Sequence, residues 1–172
     1  MRALLADLEQ QADGQRLAER DLEVAELGRA EFAQLGLEAC LRGSLGRRVQ
    51  VTVLGVGQLE GVLRRVGQGW LHLGGEAGAW WVTVAGLGGV RGLSGRPAPP
   101  EGVADRLGLG SQLRAAAEAG GGVVLHRLDA TAVVGTLTRV GADFVAVRSG
   151  EGVGAREELL PFTALAAVRS GR

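Results

Sequence analysis

Gly61-Val62-Leu63-Arg64-Arg65-Val66-Gly67-Gln68-Gly69-Trp70-Leu71-His72-Leu73 returns 74 residues later as Gly135-Thr136-Leu137-Thr138-Arg139-Val140-Gly141-Ala142-Asp143-Phe144-Val145-Ala146-Val147. Gly, Leu, Arg, Val and Gly keep their places, and Phe144 stands where Trp70 stood. Self-similarity of this kind identifies the structural unit before any helix or strand is assigned. The same offset carries back to Val49 and Val51, which fall over Val123 and Leu125. After a four-residue insertion in the second copy, Val82, Val84, Leu87, Val90 and Arg91 fall over Leu160, Phe162, Leu165, Val168 and Arg169. Upstream, at an offset of 72, Leu35-Gly36-Leu37 with Leu41-Arg42 returns as Leu107-Gly108-Leu109 with Leu113-Arg114. The order of the blocks is kept, and the length changes fall between them, where loops absorb them.

Each copy reads as a short helix followed by about five strands. Val49, Val51 and Val53 alternate with polar residues, as do Leu71 with Leu73 and Val82 with Val84, which is the period of a half-buried strand. Residues 159–168 also read as strand. Gly61 and Gly135 interrupt the second strand at one place in both copies, so a bend or bulge is expected there. Short strands bent at a fixed point describe a small closed barrel, because closure removes exposed edges. The expected fold is therefore mainly β with an N-terminal helical segment: two tandem five-stranded barrels, each preceded by a short helix. Residues 1–34 form the helical segment, 35–93 the first barrel with its helix, 94–102 a linker and 103–172 the second barrel with its helix. The linker assignment rests on Pro97, Pro99 and Pro100, which forbid helix and central strand. In the N-terminal segment Leu17, Val24, Leu27, Phe32 and Leu35 share one arc of a 3.6-residue helix, a face that covers the barrels or joins a second copy.

A glycine-interrupted second strand reading Gly-x-Leu-x-x-Val, an apolar third strand, a final Val90-Arg91-Gly92-Leu93 and a leading helix resemble the Sm-like branch of the SH3-like barrels. The resemblance covers residues 35–93 and 107–169. It implies RNA binding, although Gly67 and Gly141 occupy the position of the base-contacting Asp, Leu71 and Val145 that of the Asn, and Arg91-Gly92 only echoes the second motif. Met1-Arg2 with Asp7-Leu8-Glu9 ahead of the doubled unit is similar to an uncharacterised actinobacterial family labelled as Fis-type regulators.

Composition narrows the function. The 172 residues carry 19 basic and 19 acidic side chains, every basic one an Arg, and Lys, Ile, Asn and Tyr are absent. Residues 1–44 hold five Arg against nine acids, and residues 45–96 hold six against two, so the first copy is the basic one. Cys40 is alone and has no disulfide partner in the chain, which suits a reducing compartment. The opening residues lack an apolar core for a secretory signal, and the longest apolar run is about ten residues where a membrane span needs roughly 20. A cytoplasmic location and no membrane contact are expected.

No catalytic, cofactor or metal residues are expected. Gly55-Val56-Gly57-Gln58-Leu59-Glu60-Gly61 imitates a dinucleotide fingerprint, with Glu76 near the ribose position, but no helix can follow before Gly67 and Gly69. His72, His126 and Cys40 lack ligand spacing, and the five serines lack a nucleophile motif. What remains is a contact surface: Arg47, Arg48, Arg64 and Arg65 with Trp80 and Trp81. Adjacent strand residues point to opposite faces, so at least one of Trp80 and Trp81 leaves the core of its own barrel. The first reading is a non-catalytic adaptor or regulatory scaffold that binds a protein partner, or forms a homodimer through the N-terminal helix, with Trp81, Arg64 and Arg65 marking the contact. The second is an RNA- or DNA-binding regulator whose arginines hold phosphates and whose tryptophans stack on bases.

Overall fold

The computed structural model describes residues 26–170 apart from 27, 31, 76, 77, 101, 103–105 and 151. The chain divides into two units, Met1–Gly36 and Leu37–Arg172. In the first, residues 28–30 and 32–33 are helical. The rest of the N-terminal helical segment, with its proposed role in pairing copies, lies outside the described residues.

The second unit begins with helix α1 (Leu37–Arg42), followed by β1 (Arg48–Val53), β2 (Gly57–Gly67), β3 (Trp70–Gly75), β4 (Gly78–Thr83) and β5 (Leu87–Arg91). The series repeats as α2 (Leu109–Glu118), β6 (Gly122–Arg127), β7 (Ala132–Val140), β8 (Phe144–Ser149), β9 (Arg156–Pro161) and β10 (Leu165–Ser170). Residues 159–168 are thus not one strand. Pro161 ends β9, and a 3₁₀ turn at Phe162–Ala164 leads into β10.

All ten strands lie in one antiparallel sheet, in the order β5-β1-β2-β3-β4-β10-β6-β7-β8-β9. Each half has the same internal order, its fifth strand against its first, and Val49 faces Gly61 as Val123 faces Gly135. Two separate closed barrels are not what the strands make. The sheet is open and continuous, because β4 of the first half pairs with β10 of the second: Val82 opposite Ala167, Trp81 opposite Val168 and Trp80 opposite Arg169. The edge that closure would have removed is used to join the halves.

The bulge expected at Gly61 and Gly135 falls a little further on, between Leu63 and Arg65 and between Leu137 and Arg139. The two glycines serve close approach instead. A Cβ on Gly61 would stand 2.8 Å from the carbonyl oxygen of Gly74, and one on Gly135 2.2 Å from that of Arg148.

Alternation places Val49, Val51, Val53, Leu63, Leu71, Leu73 and Val82 in one core with Leu41 of α1, and Val123, Leu125, Leu137, Val145, Val147, Leu160 and Leu165 in a second with Leu109 and Leu113 of α2. Leu41 and Leu113 are the equivalent, fully buried residues of the two helices. The cores exchange residues. Trp70 belongs to the second cluster, while Ala166 and Ala167 of β10 belong to the first. Between the halves, Ser94 donates its amide to Ser44 Oγ (2.8 Å) and its hydroxyl to the Gly43 carbonyl (2.8 Å), and the Ala98 amide donates to the Ala39 carbonyl (2.9 Å). The start of the proline-rich segment is therefore tied down along α1. Among the described residues no helix is long and apolar enough to cross a membrane.

Candidate functional site

The bulge in β2 decides which arginines meet. Because Leu63 faces Leu73 and Arg65 faces His72, Arg64 is the extra residue, and two successive guanidinium groups lie exposed on the same side of the sheet. Two strands across, Trp81 of β4 faces His72 of β3, and their rings stack 5.4 Å apart at 14°. Arg64, Arg65, His72, Ala79 and Trp81 line an open cleft of about 670 Å³. Its last wall comes from the second half: Gln112 of α2 accepts a hydrogen bond from Arg65 Nη1 at 3.2 Å.

The six residues singled out in the sequence therefore separate. Arg64, Arg65 and Trp81 come together. Arg48 lies in a neighbouring cleft of about 630 Å³ that Arg64 also lines, and it pairs with Glu60 at 3.1 Å. Both members of that pair are exposed, so it contributes at most about 1 kcal/mol. Arg47 is exposed just ahead of β1 and lines neither cleft. Trp80 is 8% exposed and sits in the joint between the halves, stacked on His126 at 5.4 Å with the Arg169 guanidinium 5.7 Å from its ring centre. Trp80 belongs to the first core while its ring also stacks on His126 of β6, and Trp81 packs against the second core.

Sequence reasoning missed His72 and Gln112. The signal for His72 was available, since it shares a face with Arg65 once β2 and β3 are paired. Gln112 comes from a helix 47 residues away from its Arg65 partner, and nothing in the sequence marks it.

His72 and His126 are both held below the ordinary imidazole value of 6.5: His72 by burial first and then by Arg65 and Arg64, His126 by burial and then by Arg169. His72 Nε2, His126 Nε2 and Trp81 Nε1 are buried without a hydrogen-bond partner among the described residues. The neutral imidazole is thus the folded form. Below about pH 6.5 the unfolded chain binds more protons than the folded one, so stability falls as pH drops from 7 through that value towards the lowered folded pKa. Thermal melts between pH 7 and 5 are expected to show this loss, and His72→Gln with His126→Gln is expected to flatten it. A slope unchanged by the double substitution assigns the loss elsewhere.

Among the described residues no group of His, Cys, Asp or Glu is arranged to hold a metal ion. Neither a protein-family model nor a curated protein matches this chain.

Proposed function

We propose that the chain is a non-catalytic scaffold whose two halves are Sm-like units and which self-associates edge to edge through the ends of its sheet. One observation carries this reading. The contact between the halves is heterologous, a fourth strand against a fifth strand, and it leaves a fifth strand (β5) and a fourth strand (β9) at the two ends of the sheet. The same contact made between chains sets Leu160 opposite Gly89, Leu159 opposite Val90 and Glu158 opposite Arg91, by the 78-residue offset of the repeat. The chemistry of that ladder is complementary. Leu159 is 56% exposed, Gly89 and Arg91 are exposed, and the third pair is an acid facing a base.

The contact between chains is weaker than the one within them. Inside the chain, the buried Thr83 hydroxyl donates to the Leu165 carbonyl at 2.7 Å and accepts the Gly86 amide at 3.0 Å. Pro161 and Ala164 stand at those two places on the β9 side, so this lock is absent there. Glu158 is also already engaged by Arg127.

Sedimentation of the full chain is expected to give a concentration-dependent mass above that of one chain, and Leu159→Arg, a change at an exposed site, to return it to a single chain. A wild-type protein that sediments as one chain at all concentrations overturns the proposal. An assembly that survives Leu159→Arg places the contact on another surface, the N-terminal segment first among them.

The second reading, a nucleic-acid-binding regulator, is favoured by the convergence of Arg64, Arg65 and Trp81 on one cleft.

A further inference from the structure

The repeat contains its own control for the arginine cleft. In the second half the bulge positions equivalent to Arg64 and Arg65 are Thr138 and Arg139, and both grip one carboxylate. Thr138 Oγ1 donates to Glu157 Oε1 at 2.6 Å, and Arg139 Nη2 donates to Glu157 Oε2 at 2.6 Å. Glu157 lies on β9 opposite Arg148, as Ala79 lies on β4 opposite Gly74, and the residue offsets agree with both pairings. Ala79 is therefore the counterpart of Glu157. The first half keeps the bulge, raises its charge from one guanidinium to two, and removes the internal anion that those positions hold in the second half. Ala79 instead lines the open cleft, and the side chain of Arg64 runs over Gly74, its Cγ and Nε 3.2 Å from where a Cβ would stand.

The geometry points to a binding site for a phosphate-bearing ligand, with Arg64 and Arg65 as the anion clamp, Gln112 as the group that orients Arg65, and the Trp81–His72 stack as the adjoining wall. Three features favour phosphate over carboxylate. Two guanidinium groups match a group carrying up to two negative charges, where one guanidinium and a hydroxyl suffice for Glu157. No ion pair to Arg64 or Arg65 is formed among the described residues, so no described carboxylate takes up the pair's charge. The cleft, at about 670 Å³, is far larger than a carboxylate, and its aromatic wall suits a planar group attached to the phosphate. This site stands whether or not the chains associate through β5 and β9.

Calorimetric titration of the full chain at low salt with inorganic phosphate, adenosine monophosphate and glutarate tests it. Both phosphate compounds are expected to bind, with glutarate at least about tenfold weaker. A preference for the nucleotide identifies the source as a molecule that uses the stack, and equal binding identifies it as free phosphate. Ala79→Glu supplies the internal carboxylate of the second half and is expected to abolish phosphate binding while the circular dichroism spectrum is unchanged. Arg64→Gln with Arg65→Gln is the second route to the same loss, should Ala79→Glu fold poorly, and Arg47→Gln, outside the cleft, is expected to change nothing. Binding retained in both the Ala79→Glu and double-Gln proteins would falsify the assignment. So would glutarate matching phosphate, or no binding of either phosphate compound at millimolar concentration.

Discussion

Replacing Trp70 by Ala is expected to lower the stability of the Leu37–Arg172 unit by about 4 kcal/mol, within the range for deleting a large buried aromatic. The side chain is 0% exposed, and although it springs from the first half it packs in the second core beside Leu109, Leu113 and Val168. Its Nε1 donates to the Leu107 carbonyl at 2.8 Å, the residue two positions ahead of α2. Truncation therefore opens a cavity where strand β3 meets the second core and also removes the donor that fixes the approach to α2. For a chain of this length each kcal/mol shifts Tm by roughly 2–4 °C, so a fall of roughly 8–16 °C is expected in thermal denaturation. Trp70→Phe separates the two contributions. The second half carries Phe144 at the same point, seated against Gly141 as Trp70 is seated against Gly67, where a Cβ would come within 2.3 Å of either ring. Phe should therefore fit, at a cost of about 1–3 kcal/mol for lost contact and for the unpaired carbonyl. If Trp70→Phe costs as much as Trp70→Ala, the hydrogen bond to Leu107 outweighs burial. If Trp70→Ala costs less than about 1 kcal/mol, the second core does not depend on it.

The same residue shows what was legible beforehand. The repeat, its strand alternation and the two leading helices could be read because each depends on local periodicity and on side chains that the chain places close together, such as Val49, Val51 and Val53 or Leu109 and Leu113. The offset that aligned Trp70 with Phe144 also located the Gly67 and Gly141 seats. The continuous sheet could not be read in that way. The joint is made between backbone edges of β4 and β10, more than 80 residues apart, and backbone edges carry no side-chain pattern. Its one trace in the sequence was the pair Trp80-Trp81, large side chains on both faces of one strand, which required a second body to cover the outer face. The same limit applies to the cleft. Arg64, Arg65 and Trp81 stood out by composition, but Ala79 stood out only through the paired registers that make it the counterpart of Glu157.

The joint itself predicts the second large effect. Gly86 follows β4 and passes so close to β10 that a Cβ on it would lie 2.5 Å from both the Cα and the carbonyl oxygen of Ala166. These are backbone atoms of a fully buried residue, so no side-chain rotation can relieve the overlap. Gly86→Val is therefore expected to force β4 and β10 apart and to cost about 3 kcal/mol or more, since strain of this kind adds to the loss of packing around it. The Thr83 hydroxyl would lose its acceptors at Leu165 and Ala166 in the same step, leaving a buried polar group unpaired. Gly121→Val is the control: it is exposed ahead of β6 with nothing within 4 Å of its Cβ position, and a change of at most about 0.5 kcal/mol is expected there. Because the two cores exchange Trp70 for Ala166 and Ala167 across this joint, the wild-type unit is expected to unfold in one transition, and Gly86→Val to divide it into two. Hydrogen exchange supplies the local reading, with faster exchange at Trp81 and Val168, which face each other across the joint, in the variant while the β1–β2 and β6–β7 ladders stay protected. A single transition at the wild-type temperature would mean that β10 can retreat from Gly86 without loss, and that the halves are held together by their shared cores and not by the strand edges.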